Sequence, residues 1–289
     1  MTNRLAIGTA QFGMDYGIDQ SAQVSANEVK KILRLAALND LDTLDTAIGY
    51  GQSETVLGNI GITNWNVITK LPSLSVSPRN TAQWVLDSVQ ESLARLRIPT
   101  LYGLLLHRPE DLKGIYSQSL YASLVECKKR GLIQRFGLSI YDPNELENIF
   151  PRYPVDLIQA PVNVLDNRLQ ASGWLNRLKN DGVEIHARSI FLQGLLLMEP
   201  SKRPAIFQNW NTVLSKWDNW LIANNISPIR ACTAFVLGIK DIDRVIVGIN
   251  NATQLSEILE CARLDLVTFP AELRSNDPGL INPTRWRRL

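Results

Sequence analysis

The stretch LDTLDTAIGYGQSETVLGNIGITNWNVITKL, residues 41–71, decides the fold. It begins with a short β-rich segment, LDTLDTA (41–47), continues into a segment that we predict to be helical from Ser53, and ends in a second short apolar segment, VITKL (67–71). No hairpin signal joins the two short segments. A strand, a helix and a second strand in this order are typical of a parallel βαβ unit.

The same alternation runs along the whole chain. Eight segments are predicted strands: LAIGT (5–9), 41–47, 67–71, LYGLLLH (101–107), RFGLSI (135–140), DLIQAPV (156–162), VEIHARSI (183–190) and DRVIVGI (243–249). Helices are predicted between and after them: 26–37 with Ser25 as N-cap, from Ser53, 82–96, 116–129, from Pro143, 171–180, 206–224, 228–238 and 253–262. Eight such repeats predict an α/β fold, a (β/α)₈ TIM barrel with additional helical segments near the C-terminus.

The chain shows no linker rich in Pro, Gly or Ser, so we predict that residues 1–289 form a single domain. The alternative fold is an open doubly wound sheet. It lacks support because GTAQFG (8–13), which follows the first strand, is not a G-x-G-x-x-G fingerprint.

Composition excludes several classes of protein. Hydrophobic residues are 45% of the 289 residues, and 30 basic against 28 acidic residues give a net charge of +2. This balance offers no argument for a nucleic-acid partner or a membrane-surface partner. We see no signal peptide and no stretch long enough to span a membrane. The three cysteines, Cys127, Cys232 and Cys261, lie too far apart for a metal site or a disulfide framework, which favours a cytoplasmic protein.

Four polar residues follow the ends of neighbouring predicted strands, where barrel enzymes place their active sites. They are Asp45, Tyr50, Lys70 and His107. Asp45 and Lys70 could form only a buried salt bridge, Tyr50 could be a packing aromatic, and His107 could be a core histidine. As a set they make chemical sense as a proton donor. A free tyrosine has a pKa of about 10, and the Lys70 ammonium would lower it. Asp45 would hold Lys70, His107 would orient a substrate oxygen, and no metal would be needed.

At these residues the sequence resembles the aldo-keto reductase superfamily. The runs that carry the resemblance are DTAIGYGQSE (45–54), ITKL (68–71), LLLHRPED (104–111), GLSIYDP (137–143), IQAPVN (158–163) and VIVGINNATQL (245–255). The resemblance implies that Asp45, Tyr50, Lys70 and His107 are a catalytic tetrad, with Tyr50 as general acid. It also implies a nicotinamide cofactor that supplies hydride and binds extended, without a Rossmann fold.

The resemblance further implies which residues contact this cofactor: Gly8, Thr9, Asp45, Ser139, Gln159, Arg188, Ser189, Gly248, Asn250 and Glu257. Several positions depart from the family pattern. Arg188 stands where the family commonly stacks an aromatic ring on the nicotinamide, so it either covers that ring or turns away to a carboxylate or phosphate. The loop after Gly248, which meets the adenosine phosphate, reads Ile-Asn-Asn (249–251) and not Lys or Arg. The resemblance implies NADP as the cofactor, and these departures leave NAD possible.

These residues predict an NAD(P)H-dependent oxidoreductase that reduces an aldehyde or a ketone, a small-molecule carbonyl substrate, to an alcohol. The alternatives are a catalytically silent, nicotinamide-binding regulatory subunit of the same fold and a metal-dependent barrel hydrolase. Loop residues that could line or cover the substrate pocket are Phe12, Tyr16, Arg108 and Tyr141. Arg108 and Asn163 would also permit a sugar-like substrate.

Overall fold

Eight parallel strands close into a barrel in the order of the sequence, as predicted. The computed structural model describes residues 2–18, 22–74, 80–265 and 267–288. The strands are β1 Leu5–Gly8, β2 Thr43–Asp45, β3 Asn66–Leu71, β4 Leu101–Leu106, β5 Ile133–Ser139, β6 Leu157–Pro161, β7 Glu184–Arg188 and β8 Arg244–Gly248. Each strand pairs with the next, and β8 closes the barrel by pairing with β1.

Helices follow the strands and cover the outside of the barrel. The α-helices are α1 Ala10–Gly13, α2 Ala26–Leu38, α3 Ser53–Ile60, α4 Thr81–Leu96, α5 Ser117–Lys129, α6 Arg168–Ala171, α7 Trp174–Asn180, α8 Asn211–Asn224, α9 Pro228–Leu237, α10 Ala252–Ala262 and α11 Pro278–Ile281. The 3₁₀ helices are Thr2–Arg4, Pro109–Lys113, Pro143–Leu146, Leu192–Leu197, Pro200–Lys202, Ala205–Trp210, Ala271–Leu273 and Pro283–Arg288. Ser25 caps α2 as predicted, because its side chain accepts a hydrogen bond from the backbone of Glu28.

Three of the predicted helices differ in the structure. The helix expected from Pro143 is only the 3₁₀ turn Pro143–Leu146, which Asp142 caps. The helix expected over 171–180 is broken at Gly173, whose φ of 81° lies in the left-handed region. A new helix, α7, begins directly after this glycine. The helix expected over 206–224 begins as a 3₁₀ turn and becomes α-helical at Asn211.

The main hydrophobic core lies between the strands and the surrounding helices. Inside the barrel, Ile68, Leu105 and Leu157 form a separate buried cluster. Because strand side chains alternate between the two faces, residues two positions further along these strands also point into the barrel, toward the end where the strands finish. This alternation brings the side chains of Lys70, His107 and Gln159 to that end.

A second cluster of buried residues lies among α8, α9 and the C-terminal segment. Trp217 is fully buried there, and its ring stacks on Trp220 at 5.8 Å. These tryptophans therefore pack within the fold. No helix in the described ranges is long and apolar enough to cross a membrane.

Candidate active site

The centre of the site is an ion pair inside the barrel between Lys70 of β3 and Asp45 at the end of β2. Lys70 Nζ lies 2.8 and 2.7 Å from the two carboxylate oxygens of Asp45 and 2.8 Å from the carbonyl oxygen of Thr46. Lys70 is 1% exposed and Asp45 is 4% exposed. The three N–H donors of the ammonium group are thus all engaged. Burial lowers the pKa of Lys70, and Asp45 opposes that shift.

A chain of hydrogen bonds extends this pair across the barrel interior. Gln159 Nε2 donates to Asp45 Oδ1 at 2.7 Å, and the hydroxyl of Ser139 donates to Gln159 Oε1 at 3.3 Å. Ser139 and Gln159 are register partners on β5 and β6. Three strands therefore hold the carboxylate of Asp45 in one orientation.

Tyr50 lies in the loop after β2, and two glycines place it. A Cβ on Gly13 would collide with the backbone oxygen of Tyr50, and a Cβ on Gly51 would collide with the backbone oxygen of Gly13. Gly51 also has a φ of 54°. The close contact between α1 and this loop is therefore possible only with glycine, and it fixes the backbone that carries Tyr50.

Two neighbours of Tyr50 in the motif have structural roles that the sequence reasoning did not assign. The hydroxyl of Ser53 bonds to Thr9 Oγ1 at 2.8 Å and to Thr9 O at 2.9 Å. Glu54, which is 2% exposed, accepts hydrogen bonds from Thr69, Ser92 and Arg95. Glu54 thereby ties α3 to β3 and α4. The position of Glu54 at the start of a helix that packs on the barrel could have indicated this role. A buried carboxylate without partners is costly, so a glutamate there needs hydrogen-bond donors around it.

Tyr50, Lys70 and His107 converge at the mouth of the barrel. Lys70 Nζ lies 5.1 Å from the centre of the Tyr50 ring, and the rings of Tyr50 and His107 meet edge to face at 6.1 Å. Burial and the Lys70 ammonium lower the pKa of His107 to about 4, so its imidazole is neutral at pH 7.

The expectation that Lys70 lowers the pKa of Tyr50 is wrong for this structure. Burial and the nearby Asp45 carboxylate raise the pKa of Tyr50 instead. The physical reason is that the Lys70 ammonium is neutralised by Asp45, with both carboxylate oxygens in contact. Tyr50 is therefore fully protonated at neutral pH.

Arg188 lies at the same end and reaches no carboxylate of the described residues. Its guanidinium stacks on the ring of Tyr141 at 4.2 Å, and Nη2 donates to the carbonyl oxygen of Ile140 at 2.9 Å. The sequence left open whether Arg188 covers the nicotinamide or turns to a carboxylate or phosphate, and in the structure it contacts a protein ring and a carbonyl. Burial and the neighbouring Tyr50 raise the pKa of Tyr16 to about 12, which places Tyr16 in this cluster.

The remaining predicted cofactor residues lie around the mouth of the barrel. Gly8 is the register partner of both Asp45 and Gly248. Thr9 is fully buried, and its hydroxyl donates to the carbonyl oxygen of Asp45. The backbone of Ser189 has a φ of 58°, and its hydroxyl accepts a hydrogen bond from Arg188. At the start of α10, the backbone N–H of Asn250 donates to Gln254, and Glu257 is exposed further along this helix.

Two of the suggested pocket residues have other roles. Phe12 is fully buried in the hydrophobic core. Asn163 is also fully buried. Its side chain accepts hydrogen bonds from the backbone of Leu165 and Asp166 and donates one to the carbonyl oxygen of Ser189. Asn163 therefore shapes the loop after β6, and its role as a substrate contact stays a prediction.

The opposite end of the barrel holds a second buried polar network. His186 Nε2 lies 2.7 Å from Glu184 Oε1, and the hydroxyl of Tyr102 donates to Glu184 Oε2 at 2.7 Å. Arg135 lies 3.2 Å from the same carboxylate. In the described part of the chain, no group of three or more His, Cys, Asp or Glu residues is placed to hold a metal ion. A metal-dependent hydrolase thus has no ligand set in these residues.

A cavity of about 660 Å³ also opens at this opposite end. Charged residues line it, but they face each other: Lys128 pairs with Asp156, and Lys179 pairs with Asp243. In barrels of this type the ends of the strands, and not their beginnings, carry the chemistry. We therefore assign the active site to the end that holds Tyr50.

Comparison with known proteins identifies the family. The profile of the Aldo/keto reductase family matches residues 4–269. Among solved structures, the chain is similar to an aldo-keto reductase from Bacillus halodurans in its holo form, with 19% identity, a TM-score of 0.74, and coverage of 92% of this chain and 88% of that chain. It is also similar to a glycerol dehydrogenase from Gluconobacter oxydans, with 20% identity, a TM-score of 0.71 and the same coverage. No curated protein matches it.

Proposed function

Since this chain belongs to the aldo/keto reductase family, we propose that it is an NAD(P)H-dependent oxidoreductase that reduces an aldehyde or a ketone to an alcohol. One observation carries the proposal. A protonated tyrosine, a neutral histidine and a buried lysine–aspartate pair converge at the end of the barrel where the strands finish. Such a set can bind a carbonyl oxygen and donate a proton to it.

The residues at this end fit a nicotinamide dinucleotide. Ser139 and Gln159 offer a hydroxyl and an amide, the donor and acceptor types that a carboxamide requires. Arg188 Nε is buried and, among the described residues, has no hydrogen-bond partner. When bound, the dinucleotide supplies the hydride that the carbonyl carbon accepts.

Tyr50 acts as the general acid in this proposal. Its hydroxyl gives a proton to the carbonyl oxygen as the carbon takes the hydride, which leaves an alcohol and a phenolate. Burial and Asp45 raise the pKa of Tyr50, so the group is protonated before the reaction. Solvent then returns a proton to the phenolate. Asp45 orients Lys70 through two short contacts.

His107 orients the substrate. Because its pKa is lowered to about 4, the ring is neutral and can donate one N–H to the carbonyl oxygen while Tyr50 donates from the other side. Both donors then point at the oxygen on which charge develops. Hydrogen bonds of this kind stabilise the transition state more than the ground state.

A titration followed by a substrate panel tests the proposal. Calorimetry with NADH and NADPH measures binding, and the loss of reduced-nicotinamide absorbance measures turnover on aldehydes and ketones. One structural neighbour is a glycerol dehydrogenase, so glyceraldehyde and dihydroxyacetone belong in the panel. We expect binding and carbonyl-dependent oxidation of the cofactor. Binding without oxidation on any carbonyl would favour the silent regulatory subunit, and a lack of binding would overturn both.

A further inference from the structure

The start of α10 lies at the same end of the barrel as the proposed active site. It follows the loop 249–251, which leaves β8 at Gly248. In (β/α)₈ barrels the loops after the last strands and a nearby helix N-terminus frequently bind a phosphate group. The unpaired N–H groups of the first helical turn and the helix dipole favour an anion there.

In this protein, side-chain oxygens already bind three of the N–H groups at this helix start. The N–H of Ala252 donates to Glu28 Oε1 at 2.9 Å. The N–H of Gln254 donates to Asn251 Oδ1 at 2.9 Å, and the N–H of Asn250 donates to Gln254 Oε1 at 2.8 Å. The position that would attract a phosphate therefore holds a carboxylate.

Glu28 reaches this position from α2, which packs against α10. Its other carboxylate oxygen lies 3.0 Å from Lys31 Nζ, and its side chain is 24% exposed. The N–H of Ala252 and then Lys31 lower the pKa of Glu28, so the group is an anion at neutral pH. Ser25 and Glu28 have the spacing of a capping box, but the carboxylate bonds to the neighbouring helix.

We propose that Glu28 makes the adenosine end of the cofactor site reject a 2′-phosphate, so that the protein uses NADH in preference to NADPH. This inference rests on the proposed function. A carboxylate accepts hydrogen bonds from ribose hydroxyls but repels a phosphate that carries a charge of about −1.5 to −2. The loop itself supplies no compensating cation, since residues 249–251 are Ile, Asn and Asn.

Direct binding measurements on the full chain test this assignment. Calorimetric titrations with NADH and NADPH, and with 5′-AMP and 2′,5′-ADP, isolate the contribution of the 2′-phosphate. We expect the wild-type protein to bind NADH about tenfold or more tightly than NADPH, equivalent to ~1.4 kcal/mol. Glu28→Gln keeps the shape of the side chain and should reduce this preference about tenfold, mainly by tightening NADPH binding.

Two controls separate the charge from a structural effect. Glu126→Gln is a matched variant, because Glu126 is also a helical glutamate paired with a basic residue, Arg130, on the distant helix α5. It should leave the NADH preference unchanged. High salt should narrow the preference of the wild-type protein, since about 1 M salt shortens the Debye length to about 3 Å. This second test needs no variant.

The outcomes are distinct. An unchanged ratio of NADH to NADPH affinity in Glu28→Gln, with both cofactors bound, would overturn the role of Glu28 and leave the proposed function in place. A wild-type preference for NADPH would also overturn it. If neither dinucleotide binds, the proposed function fails, and the role of Glu28 fails with it.

Discussion

The two ends of the barrel each hold a tyrosine beside a cation and a carboxylate. At one end Tyr50 has Lys70 at 5.1 Å from its ring centre, and Asp45 lies next to Lys70. At the other end Tyr102 has Arg135 at 4.5 Å from its ring centre. The two tyrosines have similar neighbours, and burial raises the pKa of both, that of Tyr102 to about 12.

They differ in where the hydroxyl proton points. The hydroxyl of Tyr102 donates to Glu184, which also bonds to His186. No described residue accepts a hydrogen bond from the hydroxyl of Tyr50, which lies beside the neutral ring of His107. The network around Glu184 gives the Tyr102 hydroxyl an internal acceptor, although Nδ1 of His186 has no partner among the described residues, whereas the hydroxyl of Tyr50 remains available as a donor. A cluster of buried charged groups indicates a reactive site only when it includes a hydrogen-bond donor whose hydrogen no protein atom accepts.

The largest expected effect comes from removing each hydroxyl in turn. Tyr50→Phe should slow carbonyl reduction by about 10²–10⁴-fold, the usual effect of a positioned general acid, with little change in cofactor affinity. Tyr102→Phe is the matched control and should keep the wild-type rate. Single-turnover kinetics are the proper measurement, because product release can mask a slower chemical step. Equal losses in the two variants would remove the distinction between the two ends.

A smaller effect is expected for the network around Glu184. Glu184→Gln should lower the free energy of unfolding by about 1–3 kcal/mol, because hydrogen bonds to a buried charge are lost. Turnover per folded molecule should not change. Urea denaturation measures the loss. Slower turnover with an unchanged free energy of unfolding would contradict the structural role of the residues at this end of the barrel.

The pH dependence of stability sharpens this test. Burial raises the pKa of Glu184, but hydrogen bonds from His186 and Tyr102 outweigh it and lower the pKa to about 2. A carboxylate with a lowered pKa contributes stability above its ordinary pKa of 4.5, and this contribution is lost as the pH falls from there toward 2. The wild-type protein should lose this stability over that window, and Glu184→Gln should lack the corresponding loss.

The smallest expected effect concerns the contact of Arg188 with Tyr141. Tyr141→Leu removes a cation–π contact of about 0.5–1 kcal/mol and leaves the Arg188 guanidinium held by its hydrogen bonds to Ile140 and Ser189. Without the ring over it, this cation should weaken NAD⁺ binding relative to NADH by about 2–5-fold, because only the oxidised nicotinamide is positively charged. Tyr141→Phe keeps the ring and should not change the ratio. Titrations of both variants with NAD⁺ and with NADH measure the ratio of the two dissociation constants. The same ratio in Tyr141→Leu and Tyr141→Phe would contradict this effect of Arg188.

The sequence predicted most of the fold and the convergence of Asp45, Tyr50, Lys70 and His107 at one end of the barrel, and the reason is the strand period. Three of the predicted site residues lie at or just after the ends of β-rich segments: Asp45, Lys70 and His107. Because the strands are parallel, all their ends meet at the C-terminal mouth of the barrel, and these side chains meet there too. Helix boundaries in the loop regions were less predictable, as at Gly173, because a single left-handed residue ends a helix that its composition would continue.

Properties that depend on contacts between distant residues could not be predicted. The direction of the Tyr50 pKa shift depends on which oxygens accept the three N–H groups of the Lys70 ammonium. The spacing of residues in the sequence does not show this. The contact of Glu28 with Ala252 joins residues 224 positions apart. Arg188 was recognised as a departure from the family pattern, but only the structure shows its contact with Tyr141.

If the proton on Tyr50 goes to the substrate oxygen, breaking its O–H bond should slow the reaction in deuterium oxide, and solvent isotope substitution measures this. Single-turnover reduction of a slow ketone is measured in water and in deuterium oxide, at a pH where Tyr50 is protonated in both. Cofactor deuterated at the transferred position provides the control, because it must slow the same step. We expect a slower reaction in deuterium oxide for the wild-type protein and for Tyr102→Phe, because the O–H bond of Tyr50 breaks in that step. An equal rate in both solvents, with the deuterated cofactor still slowing the reaction, would contradict it.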